Sequence, residues 1–206
     1  FYVDSRSGIK DPVDMLGHRL DTKILLVLGS SPIIQNQKKC VQKSGLNVQK
    51  VVFQTLADAE VVLSPEEKDI GAGTTNYIAY ASGSPVHVGG INRGSDLVTS
   101  DISYLFQLPK TAAESLKITD GSCYSPGVDN DETVLTPSLG GKPSIRMPRK
   151  EFAKVIEARM AEILLMIQSD LQENNINGPF GSGIILVGGG ALMNGVTELA
   201  AEIFRL

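Results

Sequence analysis

An α/β fold, with helices packed on a sheet, is what the sequence predicts, and three stretches predict it. TKILLVLGS (residues 22–30) is an apolar run of strand length, and Ser30 or Ser31 with Pro32 then signals a helix start. DIGAGTTN followed by YIAYASGSPVHVGGI (residues 69–91) reads as a glycine-rich turn and a β-hairpin around SG. GIILVGGGALMNG (residues 183–195) reads as a buried strand, a glycine turn and a helix start.

The remaining elements follow the same punctuation. IIQNQKKCVQKSG predicts a helix over residues 33–45, with Gly45 suited to its C-terminal end. VVFQTL (51–56) reads as a second strand and ADAEVVL (57–63) as a short helix. SDLVTSDISYLFQ has helical spacing at Leu97, Ile102, Leu105 and Phe106. KTAAESLK predicts a short helix, with Thr111 and Glu114 spaced as in a capping box. Residues 120–148 are rich in Gly, Pro, Ser and Asp and read as a loop or small β region around the strand-like VLTP. Pro148 opens the longest helix, Arg149–Glu173, whose Phe152, Val155, Ile156, Ile163, Ile167 and Leu171 form one apolar stripe. TELAAEIFRL is helical to the last residue.

Composition bounds the function. The 206 residues are 42% hydrophobic, enough for one large core or two small ones. A net charge of −4 with scattered Lys and Arg excludes a nucleic-acid surface as the organising feature. No apolar run approaches the ~20 residues that span a bilayer, and FYVDSRSGIK lacks the apolar centre of a secretory signal. Cys40 and Cys123 stand far apart without metal-ligand spacing, which suits a reduced protein, a single disulfide being the alternative.

Three stretches could carry chemistry. Gly71, Ala72 and Gly73 can expose backbone N–H groups to a phosphate with φ > 0 or nearly so, Thr74 and Thr75 can donate hydroxyls, and Asp69 could hold a cation. An ordinary polar hairpin is the plainer account. Gly188, Gly189 and Gly190 either let backbone pass close to a ligand or simply make a tight turn. Glu114 and Lys117, three apart on a helix, read first as a surface ion pair. Gln54, Asp58, His18 and His87 carry no motif alone.

The order of these pieces resembles the actin, sugar-kinase and heat-shock-chaperone superfamily. In more detail GIKDPVDMLGHRL, IQNQKKCVQKSGL, QTLADAEVVL, DIGAGTTN, AESLK, GGKPSIRM and VGGGALMNGV resemble segments of the FtsA family of bacterial cell-division actin homologues, in family order and over essentially the whole chain. The resemblance implies an actin-like (ribonuclease H-like) ATPase fold. Residues 1–29 would end the FtsA-specific inserted subdomain, 30–68 would connect, and 69–206 would form the second actin-like half, with about 110–175 as its smaller subdomain. Asp69 would sit near Mg²⁺ through water, and Gly71, Ala72, Gly73, Thr74 and Thr75 would hold the phosphates of ATP. Glu114 and Lys117 would line ribose and base, and Gly188, Gly189 and Gly190 would pass beside adenosine. Gln54 would orient an attacking water rather than take its proton, since an amide is too weak a base.

Departures from the family pattern qualify this. Ala72 replaces a glycine, Asn76 replaces the closing acid, and Thr55 stands where the family has proline. These bear on hydrolysis more than on binding, so at most weak ATPase activity is expected, with little from this segment alone. The polar LSPEEK runs straight into DIGAGTTN, where the family has an apolar strand. The preferred reading is that several residues are absent between Lys68 and Asp69. The implied function is a nucleotide-dependent scaffold of septum formation that polymerises, binds the tubulin-like FtsZ and recruits other division proteins. It would lie in the cytoplasm at the inner face of the division-site membrane, held by a C-terminal amphipathic helix that this sequence lacks. The FtsZ face would fall in residues 120–175, with Arg146, Arg149, Glu157 and Arg159 as charged candidates. The alternatives are a small-molecule kinase or phosphatase of the superfamily and a pilus-assembly or rod-shape homologue.

Overall fold

The computed structural model describes the chain except residues 5, 7, 10, 23, 58–65, 82, 138–143 and 179, with the backbone alone at 66–69. The chain divides into two compact units, Phe1–Phe53 and Gln54–Leu206. Most of the expected helix ADAEVVL, and Asp58 with it, lies outside the described residues.

In the first unit β1 (Tyr2–Val3) pairs antiparallel with β2 (Leu20–Asp21). The Asp4 carboxylate supports the pair by accepting from the backbone N–H groups of His18 and Arg19 at 2.9 and 2.8 Å. Helix α1 (Ser31–Lys43) starts where SSP predicts, with Pro32 in a first turn that needs no N–H donor. Gly45, at φ +81°, ends it. The expected strand TKILLVLGS does not form: residues 24–30 are irregular, and Ile24, Leu26 and Leu28 are exposed. Apolarity makes a run eligible for a sheet, but only a neighbouring ladder makes it a strand. Among the described residues no strand pairs with it. VVFQTL also departs from expectation, since 51–53 are irregular and 54–57 are helical. Gln, Leu and Ala in QTLA are good helix formers, and their preference prevails there.

The second unit is built on a four-stranded sheet of order β5-β4-β3-β8. Its strands are β3 (Glu66–Ile70), β4 (Thr75–Ala81), β5 (Ser84–Ile91) and β8 (Ile185–Val187). β4 and β5 are the expected hairpin, turning at Gly83 with φ +75°. β3 runs through EEK itself, the polar segment that stands where the family has an apolar strand. Its backbone pairs antiparallel with β4, Ile70 opposite Thr75, and parallel with β8, Lys68 opposite Leu186. The ladder is made of main-chain groups, and neighbours on both sides recruit the segment despite its polar composition. A smaller ladder, β6 (Thr133–Leu135) with β7 (Arg146–Pro148), occupies the Gly- and Pro-rich region.

Helices α2 (Ser95–Leu105), α3 (Lys110–Asp120), α4 (Arg149–Glu173) and α5 (Val196–Phe204) complete this unit. The stripe predicted on α4 is its buried face, apart from Val155, which is half-buried, and Met160 and Leu164 extend it. α4 packs against α2, α5 and β5. Arg159 of α4 grips Asp101 of α2 with two nitrogens, at 2.6 and 3.0 Å. Further along, Asp170 accepts the Tyr77 hydroxyl and lies 2.7 Å from His87 Nε2. His87 therefore has the acidic partner that sequence spacing did not reveal. Burial, and next the hydrogen bond to Asp170, push the Tyr77 phenol well above its ordinary range. Both cysteines are free. Cys123 is buried, its thiol pushed up to about 12 mainly by that burial.

Two adjacent leucines on α4 test the packing. Leu164 is 0% exposed and Leu165 50%. Leu164→Ala should cost about 2–5 kcal/mol in chemical denaturation, and Leu165→Ala less than about 1 kcal/mol.

Candidate functional site

The turn between β3 and β4 is held by its own backbone, Gly71 N–H donating to the Thr74 carbonyl at 2.9 Å. Its outer carbonyls do a second task. Gly71 O accepts from Ser95 N–H at 3.0 Å and Ala72 O from Asp96 N–H at 2.8 Å. The turn thereby caps the first turn of α2, whose donors have no partner within the helix. Gly94 makes this approach possible: a Cβ there would stand 2.4 and 2.5 Å from the two carbonyl oxygens.

Two expectations for this turn are corrected. Gly71, Ala72 and Gly73 do not adopt positive φ, so the Cβ of Ala72 meets no backbone strain. Thr75 is buried and donates its hydroxyl to the Arg93 carbonyl at 2.8 Å, so it anchors the turn and has no free hydroxyl for a ligand. Thr74 and Gly73 are exposed, and Asp69 is paired with Asn76 through the ladder.

The three later glycines separate into distinct roles. Gly188 has φ +86° and makes the turn out of β8. Gly190 is buried against β3, where a Cβ would come within 2.4 Å of Ile70 Cγ2. Gly189 is exposed, and a Cβ there would meet nothing within 4 Å. The run GGG leads into a single 3-10 turn, Gly189–Leu192, and α5 begins only at Val196.

Glu114 and Lys117 are not a surface pair. Lys117 is 6% exposed. Its Nζ lies 2.7 Å from Glu114 Oε2, 2.9 Å from Thr99 Oγ1 and 3.4 Å from the Ser95 carbonyl. The Thr99 hydroxyl also bonds to Glu114. The capping box at Thr111 does not form: the helix already begins at Lys110 behind Pro109, and Glu114 is engaged with Thr99 and Lys117. Partial burial raises the Glu114 pKa, but hydrogen bonds from Lys117 and Thr99 and the Lys117 charge outweigh it. The group is held below the usual carboxylate range.

Ala72, Glu114, Lys117, Gly189 and Gly190 line one cleft of about 550 Å³, within the range of small-molecule sites. Ser95, Asp96, Ile118, Leu192 and Asn194 line it too, and sequence reasoning missed them along with Thr99. The one available signal was the helix start SD of SDLVTSD, directly after the hairpin. Gln54, exposed at the start of the 54–57 helical turn, does not line the cleft.

The charged partner candidates divide. Arg149 donates to the Asp120 carbonyl at 3.0 Å and pairs with Glu132. Arg159 is fixed by Asp101 and Glu162, and Glu157 accepts the Ser125 N–H at 3.2 Å. These three hold the unit together, so reversing their charges would test its stability before any partner. Arg146 is exposed on β7. Among the described residues no group of three His, Cys, Asp or Glu could hold a metal ion, and no helix is long and apolar enough to cross a membrane.

The profile of the cell division protein FtsA family matches residues 69–206. Cell division protein FtsA of Borreliella burgdorferi is 37% identical over 213 residues, covering 100% of this chain and 52% of that protein. The FtsA protein of Escherichia coli K12 is 33% identical over 219 residues, with 100% and 52% covered. The chain thus spans about half the length of these relatives. Among solved structures, MreB5 of Spiroplasma citri bound to ADP superimposes with a TM-score of 0.72 at 18% identity, covering 86% of this chain and 60% of that one. The MamK double helical filament superimposes with a TM-score of 0.65 at 19% identity, covering 86% and 57%. The fold is actin-like, as the family resemblance implies.

Two measurements check the site. Gly94→Ala should lower stability by about 1–3 kcal/mol, read by denaturant titration, because the clash is with backbone oxygens. A carboxylate held low stabilises the fold above the ordinary glutamate range and loses that contribution as pH falls through its folded-state value. The melting temperature of Glu114→Gln should therefore lie below wild type at pH 7, the gap closing below about pH 4.

Proposed function

Because the chain belongs to the cell division protein FtsA family, we propose that it forms one wall of an ATP site in an actin-like scaffold of bacterial division. The single observation that carries this is the cleft. The exposed hairpin turn at Ala72, the open Gly189 and an ionised Glu114 face one space of about 550 Å³. Ala72, Gly73 and Thr74 would hold phosphates through backbone N–H groups and a hydroxyl, while Gly71, its N–H taken by the Thr74 carbonyl, would shape the turn. Gly189 would pass beside the nucleoside and Glu114 would accept from ribose. Lys117 sustains Glu114 from beneath, and Thr75 sustains the turn.

Mg²⁺ fits a site of this kind, since it keeps several waters and takes phosphate oxygens with one or two carboxylates. Asp69 would hold it through water, and the exposed Asp96 on the cleft wall is a further candidate carboxylate. Gln54 keeps its proposed role of orienting water. ATP turnover would be weak, the nucleotide acting as a switch between assembly states. The division of 1–29, 30–68 and 69–206 among the family's subdomains belongs to the same proposal, with about 110–175 as the smaller one.

At the level of the whole protein, the reading is a filament-forming scaffold that binds FtsZ and other division proteins. It would lie in the cytoplasm at the division-site membrane, attached through the family's C-terminal amphipathic helix. Within residues 120–175, Arg146 is the candidate left for contact. It lies opposite Leu135 in the β6–β7 ladder and next to Ile145, both exposed.

Calorimetric titration of the complete natural polypeptide with Mg-ATP should show saturable binding. Gly189→Val should weaken it at least about tenfold with no drop in melting temperature, because the new side chain meets only the cleft. Equal binding by the two proteins would remove Gly189, and with it this cleft, from the nucleotide site.

A further inference from the structure

We propose that Thr99 is a positioning residue that aims Glu114 at a vicinal diol, making the cleft selective for ribonucleotides over deoxyribonucleotides. The inference rests on the nucleotide-binding reading and goes beyond it. Lys117 Nζ has three protons, and Glu114, Thr99 and the Ser95 carbonyl supply three acceptors. Its donors are thus satisfied inside the protein, and at 6% exposure it offers the cleft little surface. Ser95 and Lys117 line the cleft as well, but Glu114 is the member of this network that presents a side chain to it, 42% exposed.

Thr99 decides how Glu114 meets it. The Thr99 hydroxyl and Lys117 both engage Oε2, which leaves Oε1 as the oxygen with acceptor capacity to spare. A carboxylate fixed by one oxygen cannot rotate freely, so the other is aimed. A carboxylate only accepts, and the neutral donors best matched to it are hydroxyls. Ile118, 71% exposed on the same helix, and Leu192, 86% exposed across the cleft, give apolar surface beside it. A diol attached to a flat ring satisfies both features. A site that hydrogen-bonds a substrate hydroxyl penalises the analogue lacking it, because its own acceptor is then left unpaired.

The test is a selectivity ratio. The complete natural polypeptide is titrated with Mg-ATP, Mg-2′-deoxy-ATP, Mg-3′-deoxy-ATP and inorganic tripolyphosphate, as wild type, Thr99→Val and Thr99→Ser. Wild type should bind ATP at least about tenfold more tightly than one of the deoxy analogues. Thr99→Val should reduce that ratio severalfold while tripolyphosphate affinity stays unchanged, and Thr99→Ser should restore it. The ratio does not depend on the fraction of protein folded, so lost stability alone cannot mimic the result. Wild-type binding of ATP with a ratio near one, or with a ratio that Thr99→Val leaves intact, would overturn the role of Thr99 while sparing the nucleotide site. Absence of ATP binding by wild type would overturn the nucleotide reading and this inference together.

Discussion

Two carbonyl oxygens, on Gly71 and Ala72, join the site to the rest of the second unit. They satisfy the N–H groups of Ser95 and Asp96 at the start of α2, and Gly94 is there because nothing larger fits. α2 then carries Thr99 to the Glu114–Lys117 pair and Asp101 to Arg159 on the long helix. The glycine hairpin, the charged pair and α4 are therefore placed by one helix, and that helix is placed by the hairpin.

The charged network under the cleft is a case where burial and satisfaction must be weighed together. An ammonium as deeply buried as Lys117 loses hydration worth several kcal/mol, which only well-placed partners offset. Three acceptors surround it, and one partner keeps a side exposed. The network is better understood as fixing a geometry than as adding stability.

Much of the second unit was legible because its elements satisfy themselves locally. The α4 stripe, the SG hairpin and the β8 turn follow from periodicity and glycine placement. Failures occurred where the deciding partner is remote in sequence. TKILLVLGS has strand composition but no ladder among the described residues, whereas EEKDI lacks that composition and has ladders on both sides. The cleft was half legible. DIGAGTTN and VGGG announce close backbone approach, but only the folded chain shows that Thr75 faces Arg93 and that Gly189 is sterically open where Gly190 is not. His87 finds Asp170 and Thr99 finds Glu114 through tertiary packing, which spacing along the chain does not encode.

The cap on α2 has a mechanical consequence. A helix of 11 residues is a stiff rod of about 16 Å, and here one end is clamped to the turn that faces the cleft. A tilt of about 5° at that end carries the far end about 1.4 Å sideways, given a rod of this length. Asp101 sits midway along the rod and is held by both arms of Arg159, so α4 feels the swing through a two-point coupling. The hairpin is thus the short arm of a lever whose load is the longest helix among the described residues.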